Sequence, residues 1–78
     1  MQAEETVEGN DSEILLMVER AIRKRTWGRV SKLCVDSRGE LAVIAGSTQT
    51  YFVKQLALEA AREALATTRP FLIDIDVN

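Results

Sequence analysis

A short apolar segment, residues 41–45, lies between Gly39 and Gly46 and constrains the fold more than any other feature. An alanine-rich helical pattern follows over residues 51–65, and a strictly alternating segment follows over residues 71–77. Gly39 is expected to supply the positive-φ position of a short hairpin loop, and Gly46 is expected to end the second strand. The order of hairpin, helix and strand predicts a small α+β module rather than an enzyme with a deep cleft.

A helix is also predicted ahead of the hairpin. Apolar residues recur at helical spacing over residues 12–25, and Gly28 is expected to stop this helix by adopting a left-handed conformation. Residues 1–11 are polar and acidic, which is typical of a disordered arm. The chain is therefore expected to divide into an arm of residues 1–11 and a domain of residues 12–78.

Three strands complete the predicted domain, in the order α-β-β-α-β. The register of the second strand stays open, because two pairs of residues compete for its core side and a one-residue bulge would reconcile them. The pairs are Leu41 with Val43, and Ala42 with Ile44. Two amphipathic helices and one strongly apolar sheet face predict a two-layer sandwich, with both helices on one face of a three-stranded sheet. The order of the strands in the sheet is left open.

The composition excludes several classes of function. The chain of 78 residues has room for one domain, and its single cysteine, Cys34, excludes an internal disulfide or a cysteine-cluster metal site. Histidine, the usual general base near neutral pH and the commonest metal ligand, does not occur. We therefore expect no catalytic residues, no metal and no cofactor. A net charge of −2 disfavours a domain whose whole surface binds nucleic acid.

The N-terminus lacks the basic and apolar regions of a signal peptide, and no apolar run is long enough to span a bilayer. The chain as written is expected to be cytoplasmic. A fragment of an exported protein would instead be periplasmic or associated with the cell envelope.

A run of basic residues around one tryptophan is the most distinctive candidate site. No acidic residue interrupts the run, and it holds six of the ten basic residues of the chain. Its members are Arg20, Arg23, Lys24, Arg25, Trp27, Arg29 and Lys32. One interpretation is a patch that binds anionic lipid head groups, since basic residues and tryptophan both favour such surfaces. The other is that the cations complement the dipole at the end of the helix while Trp27 covers the core.

The outer sheet face, away from the helices, is a second candidate. Cys34, Ile44 and Leu72 are predicted to lie there, and an exposed apolar sheet face suggests self-association as a weak homodimer or docking of a protein partner. Scattered exposed apolar residues are also common and need no function. RNA binding is a less favoured alternative, because the GXXG loop of the otherwise similar KH fold is missing.

The element order resembles that of the BON domain family, as do Gly39, Gly46 and the alanine-rich second helix. The segment TYFVKQLA, residues 50–57, and the following Glu59-Ala60-Ala61 are similar to the second helix of some bacterial BON proteins. The two glycines lie one residue further apart than is usual in the family, and Arg69-Pro70-Phe71 replaces a common Gly-Val pair. The resemblance implies a bacterial module, often exported and in tandem, that binds phospholipid surfaces or other partners without catalysis.

Overall fold

The computed structural model of the chain describes the backbone of residues 2–66 and 69–78, and within these ranges the side chains from Ser12 onward. Two helices and three strands follow one another in the predicted α-β-β-α-β order, which confirms the α+β class. They are α1 (Gln2–Arg25), β1 (Ser31–Arg38), β2 (Leu41–Thr48), α2 (Tyr51–Leu65) and β3 (Phe71–Val77).

Helix α1 begins earlier than predicted. It starts at Gln2 rather than at residue 12, so residues 2–11 have helical backbone where a disordered arm was expected. Acidic residues are favourable near a helix N-terminus, an effect that a prediction from composition does not weigh. Met1 lies outside the described residues, and the division into an arm (1–11) and a separate domain (12–78) stays a prediction.

The sheet has the order β1-β2-β3, with β2 antiparallel to β1 and parallel to β3. In this register Ile44 lies between Val35 of β1 and Ile73 of β3. Ala42 and Ile44 are fully buried, which settles the open choice of face in β2. The prediction that Ile44 lies on the outer face is wrong, because its side chain belongs to the core beneath the helices.

A bulge does occur, but in β1 rather than in β2. The register shifts between Ser31 and Cys34, and Lys32 within this stretch has a positive φ of 55°. Gly46 lies opposite the bulge, and β2 continues beyond it, so Gly46 does not end the strand as predicted. A Cβ atom at position 46 would lie 2.7 Å from Val30 Cγ1, so glycine allows the bulged strand to approach β2 closely.

The core lies between the helical layer and one face of the sheet, as expected for a two-layer sandwich. Its buried apolar residues are Val18, Ile22, Val30, Leu33, Ala42, Ile44, Val53, Ala57, Ala60, Ala61, Leu65 and Ile75. Small alanine side chains on α2 allow that helix to pack closely. Thr26 is the buried residue at the end of α1, where its hydroxyl donates to the Ile22 carbonyl oxygen at 2.7 Å.

Candidate functional site

The turn after α1 holds an exposed tryptophan in an unusual conformation. The Gly28 N–H donates to the Arg23 carbonyl at 2.9 Å, and the Trp27 N–H donates to the Lys24 carbonyl at 3.4 Å, which is the Schellman pattern of helix termination. The left-handed position of this pattern, usually glycine, is taken by Trp27 with a φ of 56°. The left-handed conformation is unfavourable by roughly 1–2 kcal/mol for a residue with a Cβ atom.

The Trp27 side chain is 67% exposed, so the interpretation that it covers the core is wrong. Its ring instead lies under the Arg29 guanidinium, whose carbon is 5.9 Å from the ring centroid. Cation–π contacts of this kind favour a fixed relative orientation of the two side chains. Lys24 and Trp27 also line one groove, whose other lining residues are Ala21, Arg25, Ala60, Glu63 and Ala64. The structure thus brings Lys24, Trp27 and Arg29 together at one end of the helical layer.

Two of the predicted basic residues are engaged in ion pairs. Arg23 donates from Nε and Nη2 to a Glu19 carboxylate oxygen, at 3.1 and 2.9 Å. Arg25 joins α1 to α2 by ion pairs with Glu59, at 3.4 Å, and with Glu63. Such exposed pairs stabilise a fold by at most about 1 kcal/mol each, but they neutralise the charge that each arginine presents. Arg25 thus links the end of α1 to α2, and its predicted part in binding an anionic surface stays a prediction.

Four basic residues of the run keep their charge available. Arg20, Lys24, Arg29 and Lys32 are exposed and form no ion pair within the part of the chain that the structure describes. Lys32 is the positive-φ residue of the β1 bulge. Of the seven residues predicted for the patch, these four cations and Trp27 are exposed without an ion pair among the described residues, and lipid binding by any of the seven stays a prediction.

Two further aromatic residues are exposed at the start of α2. Tyr51 is 62% exposed and Phe52 is 64% exposed, although the helical pattern predicts that Phe52 belongs to the buried face of α2. Thr50 caps the helix by accepting a hydrogen bond from the Val53 N–H at 3.2 Å, and Val53 is buried. Phe52, one position before Val53, therefore points away from the core. Tyr51 and Phe52 thus occupy the first two positions of α2, ahead of its first buried residue.

The outer sheet face keeps two of its three predicted residues. Cys34 is an exposed thiol and Leu72 is 52% exposed, whereas Ile44 belongs to the core. Val43, rather than Ile44, is the residue of β2 on the outer face, because it pairs with Leu72 in β3 and with Asp36 in β1. The apolar part of this face is therefore small and lies beside an acidic residue.

The comparisons with known proteins do not identify the chain. No family model matches it, and neither a curated protein nor a solved structure matches it. The fold defines a small mixed-sheet α+β protein, and membership of the BON family stays a prediction. Within the described ranges, no group of three or more cysteine, aspartate or glutamate side chains is arranged to hold a metal ion. None of the described helices has the combined length and apolarity needed to cross a bilayer.

Proposed function

We propose that the protein is a non-catalytic module that binds anionic phospholipid surfaces through Lys24, Trp27 and Arg29, the lipid-binding cluster. The exposed Trp27 carries this proposal. A bulky aromatic residue at positive φ is rare and unfavourable, and such conformations concentrate at functional positions. Tryptophan also favours the boundary between the lipid head groups and the acyl chains. The proposal agrees with what the BON resemblance implies.

Electrostatics support the same surface. Each basic residue close to an anionic membrane contributes about 1 kcal/mol to binding. Lys24 and Arg29 flank Trp27, and Arg20 and Lys32 add further unpaired charge on α1 and β1. Attraction by exposed charges is screened over about 10 Å at 0.1 M salt and over about 3 Å at 1 M salt. Binding through this cluster should therefore be strongly salt-sensitive, even though the whole chain is acidic.

Vesicle binding tests the proposal directly. Because Trp27 is the only tryptophan, its fluorescence reports on its own environment. We expect co-sedimentation and a blue shift with phosphatidylglycerol vesicles, neither with phosphatidylcholine vesicles, and loss of both in high salt. Lys24→Gln and Arg29→Gln should each weaken binding about fivefold, the equivalent of about 1 kcal/mol. Arg38→Gln removes an exposed cation from the hairpin and is the matched control, expected to have little effect.

Trp27→Gly tests vesicle binding separately from folding. Because this variant has no tryptophan, its binding is measured by co-sedimentation alone. Glycine suits the left-handed position, so the free energy of unfolding should stay within about 1 kcal/mol of the parent value or rise. Vesicle binding should fall by more than tenfold. Equal binding by the parent and Trp27→Gly, or equal binding to both kinds of vesicle, would reject the lipid-binding cluster.

A second candidate function is self-association through the outer sheet face. Leu72, with Val43 beside it and Cys34 exposed on the same sheet, supports this alternative. We expect a self-associating protein to show a mass that rises with concentration in analytical ultracentrifugation under reducing conditions. Leu72→Lys should then restore the monomer, because it places a charge at the centre of the contact. A monomer at every concentration would exclude this function and leave the lipid proposal unaffected.

A further inference from the structure

A polar pocket of about 560 Å³ lies at the N-terminus of α2, where β2 ends. Its lining residues are Gly28, Arg29, Ser31, Ser47, Thr48, Gln49, Thr50, Val53 and Asn78. Strands β2 and β3 are parallel, and α2 connects them, so the pocket lies at the carboxyl end of a β-α-β unit. In α/β sheets this is the edge at which ligands bind, with the helix N-terminus directed at an anion.

Two backbone N–H groups in the first turn of α2 have no hydrogen-bond partner among the described residues. Thr50 accepts the Val53 N–H with its hydroxyl and the Lys54 N–H with its carbonyl, at 3.2 and 3.4 Å. The N–H groups of Tyr51 and Phe52 have no acceptor among the residues that the structure describes. Unpaired N–H groups at this end carry the positive end of the helix dipole.

Thr48 supplies an independent indication of a ligand. The residue is only 4% exposed, yet its hydroxyl forms no hydrogen bond with any described residue. Every fully enclosed side-chain oxygen or nitrogen among the described residues has a partner, so the Thr48 hydroxyl oxygen is not fully enclosed, and Thr48 lines the pocket. Buried polar groups are rarely left without a partner, and one that faces a pocket is available to a ligand.

The remaining polar groups favour an anion. Arg29 is the only charged side chain among the described residues that line the pocket. The Ser47 hydroxyl oxygen accepts from the Asn78 amide at 2.7 Å, which leaves its own proton free to donate. The pocket is thus lined by one arginine, by hydroxyl-bearing residues and by Thr50, the residue that caps α2. Charge-assisted hydrogen bonds from such donors are the strong ones.

We propose that this pocket binds a phosphate group, either free or on a lipid head group, through Arg29 and Thr48, beside the N-terminus of α2. The site does not depend on the lipid-binding cluster as a whole, although Arg29 belongs to both. Arg29 also stacks on Trp27, with its guanidinium carbon 5.9 Å from the ring centroid, so a phosphate bound by Arg29 would restrict the orientation of that pair.

Titration of the ¹⁵N-labelled protein with inorganic phosphate, at an ionic strength kept constant with chloride, tests this proposal. We expect saturable shifts of the Thr48, Gln49 and Thr50 amide signals, which come from residues that line the pocket, below about 10 mM phosphate. Thr48→Val replaces the hydroxyl with a methyl group of similar size and should weaken binding about tenfold, the loss expected for one hydrogen bond to a charged group. Arg38→Gln should bind phosphate as the parent does. Shifts that do not saturate, or that Thr48→Val leaves unchanged, would overturn the proposal.

Competition identifies the source of the phosphate. If inorganic phosphate displaces the protein from phosphatidic acid vesicles more effectively than chloride at equal ionic strength, the pocket holds a lipid head group. If phosphate saturates the pocket while vesicle binding persists, the pocket holds free phosphate. Vesicle binding without any saturable phosphate shift would reject the pocket but retain the proposed function.

Discussion

Ile44→Ala is expected to lower the free energy of unfolding by about 2–5 kcal/mol, because it empties the centre of the core. Ile44 is fully buried on β2 and pairs with Val35 and Ile73 on the two neighbouring strands. A domain of this size has roughly 4–12 kcal/mol of stability in total, so the loss is a large fraction of it. Urea denaturation followed by far-UV circular dichroism measures the change.

Leu72→Ala is the matched control, since it truncates an apolar residue on the opposite face of the same sheet. Leu72 is mostly exposed, so the free energy of unfolding should change by less than about 0.5 kcal/mol. The opposite result, a silent Ile44→Ala and a destabilising Leu72→Ala, would mean that the sheet presents its other face to the helices. The pair of variants therefore tests which face of the sheet packs against the helices.

The order of the elements could be predicted because each depends on a local pattern. The alternation over residues 71–77, the turn at Gly39 and the helical spacing in α2 each involve neighbours along the chain. Thr50 caps α2, whereas Ser47 and Thr48, which have equally suitable capping side chains, lie in β2.

The register of β2 could not be predicted, because both of its faces are apolar. The choice depends on β1, where the bulge adds a residue. Simple alternation places Val30 and Leu33 on opposite faces, whereas the bulge puts both in the core. A bulge of this kind is a contact between two strands, and Lys32 gives no local sign of its positive φ.

The sequence predicted that the candidate site contains a run of basic residues. It could not predict which of them are ion-paired or how they are arranged on the surface. The run itself contains no acid, yet the partners of Arg25 are Glu59 and Glu63, far along the chain on α2. Only the packing of α1 against α2 brings these charges together. The exposure of Trp27 likewise depends on the backbone conformation of one turn, which a hydrophobicity pattern does not encode.

Gly46→Ala is expected to destabilise the protein by about 1–3 kcal/mol, because the added methyl group has no space. Its Cβ would lie 2.7 Å from Val30 Cγ1 and 3.1 Å from the Ser31 carbonyl oxygen. Val30 is 4% exposed and belongs to the core, so it cannot swing away. The bulge in β1 would have to move away from β2, which weakens the pairing that holds Ser31 opposite Ser47. Chemical denaturation measures the loss of stability.

Combining Gly46→Ala with Val30→Ala shows whether the contact between the added Cβ and Val30 Cγ1 causes the loss of stability. Val30→Ala removes the methyl group that the new Cβ meets, so the double variant should be more stable than the sum of the two single changes predicts, by at least about 0.5 kcal/mol. Gly39→Ala provides the contrast. At Gly39 an added Cβ meets nothing within 4 Å, so its cost comes from the φ of 62° alone. Gly39→Ala and Val30→Ala should therefore be additive. If the effects of Gly46→Ala and Val30→Ala on the free energy of unfolding are additive, the added Cβ at position 46 does not clash with Val30.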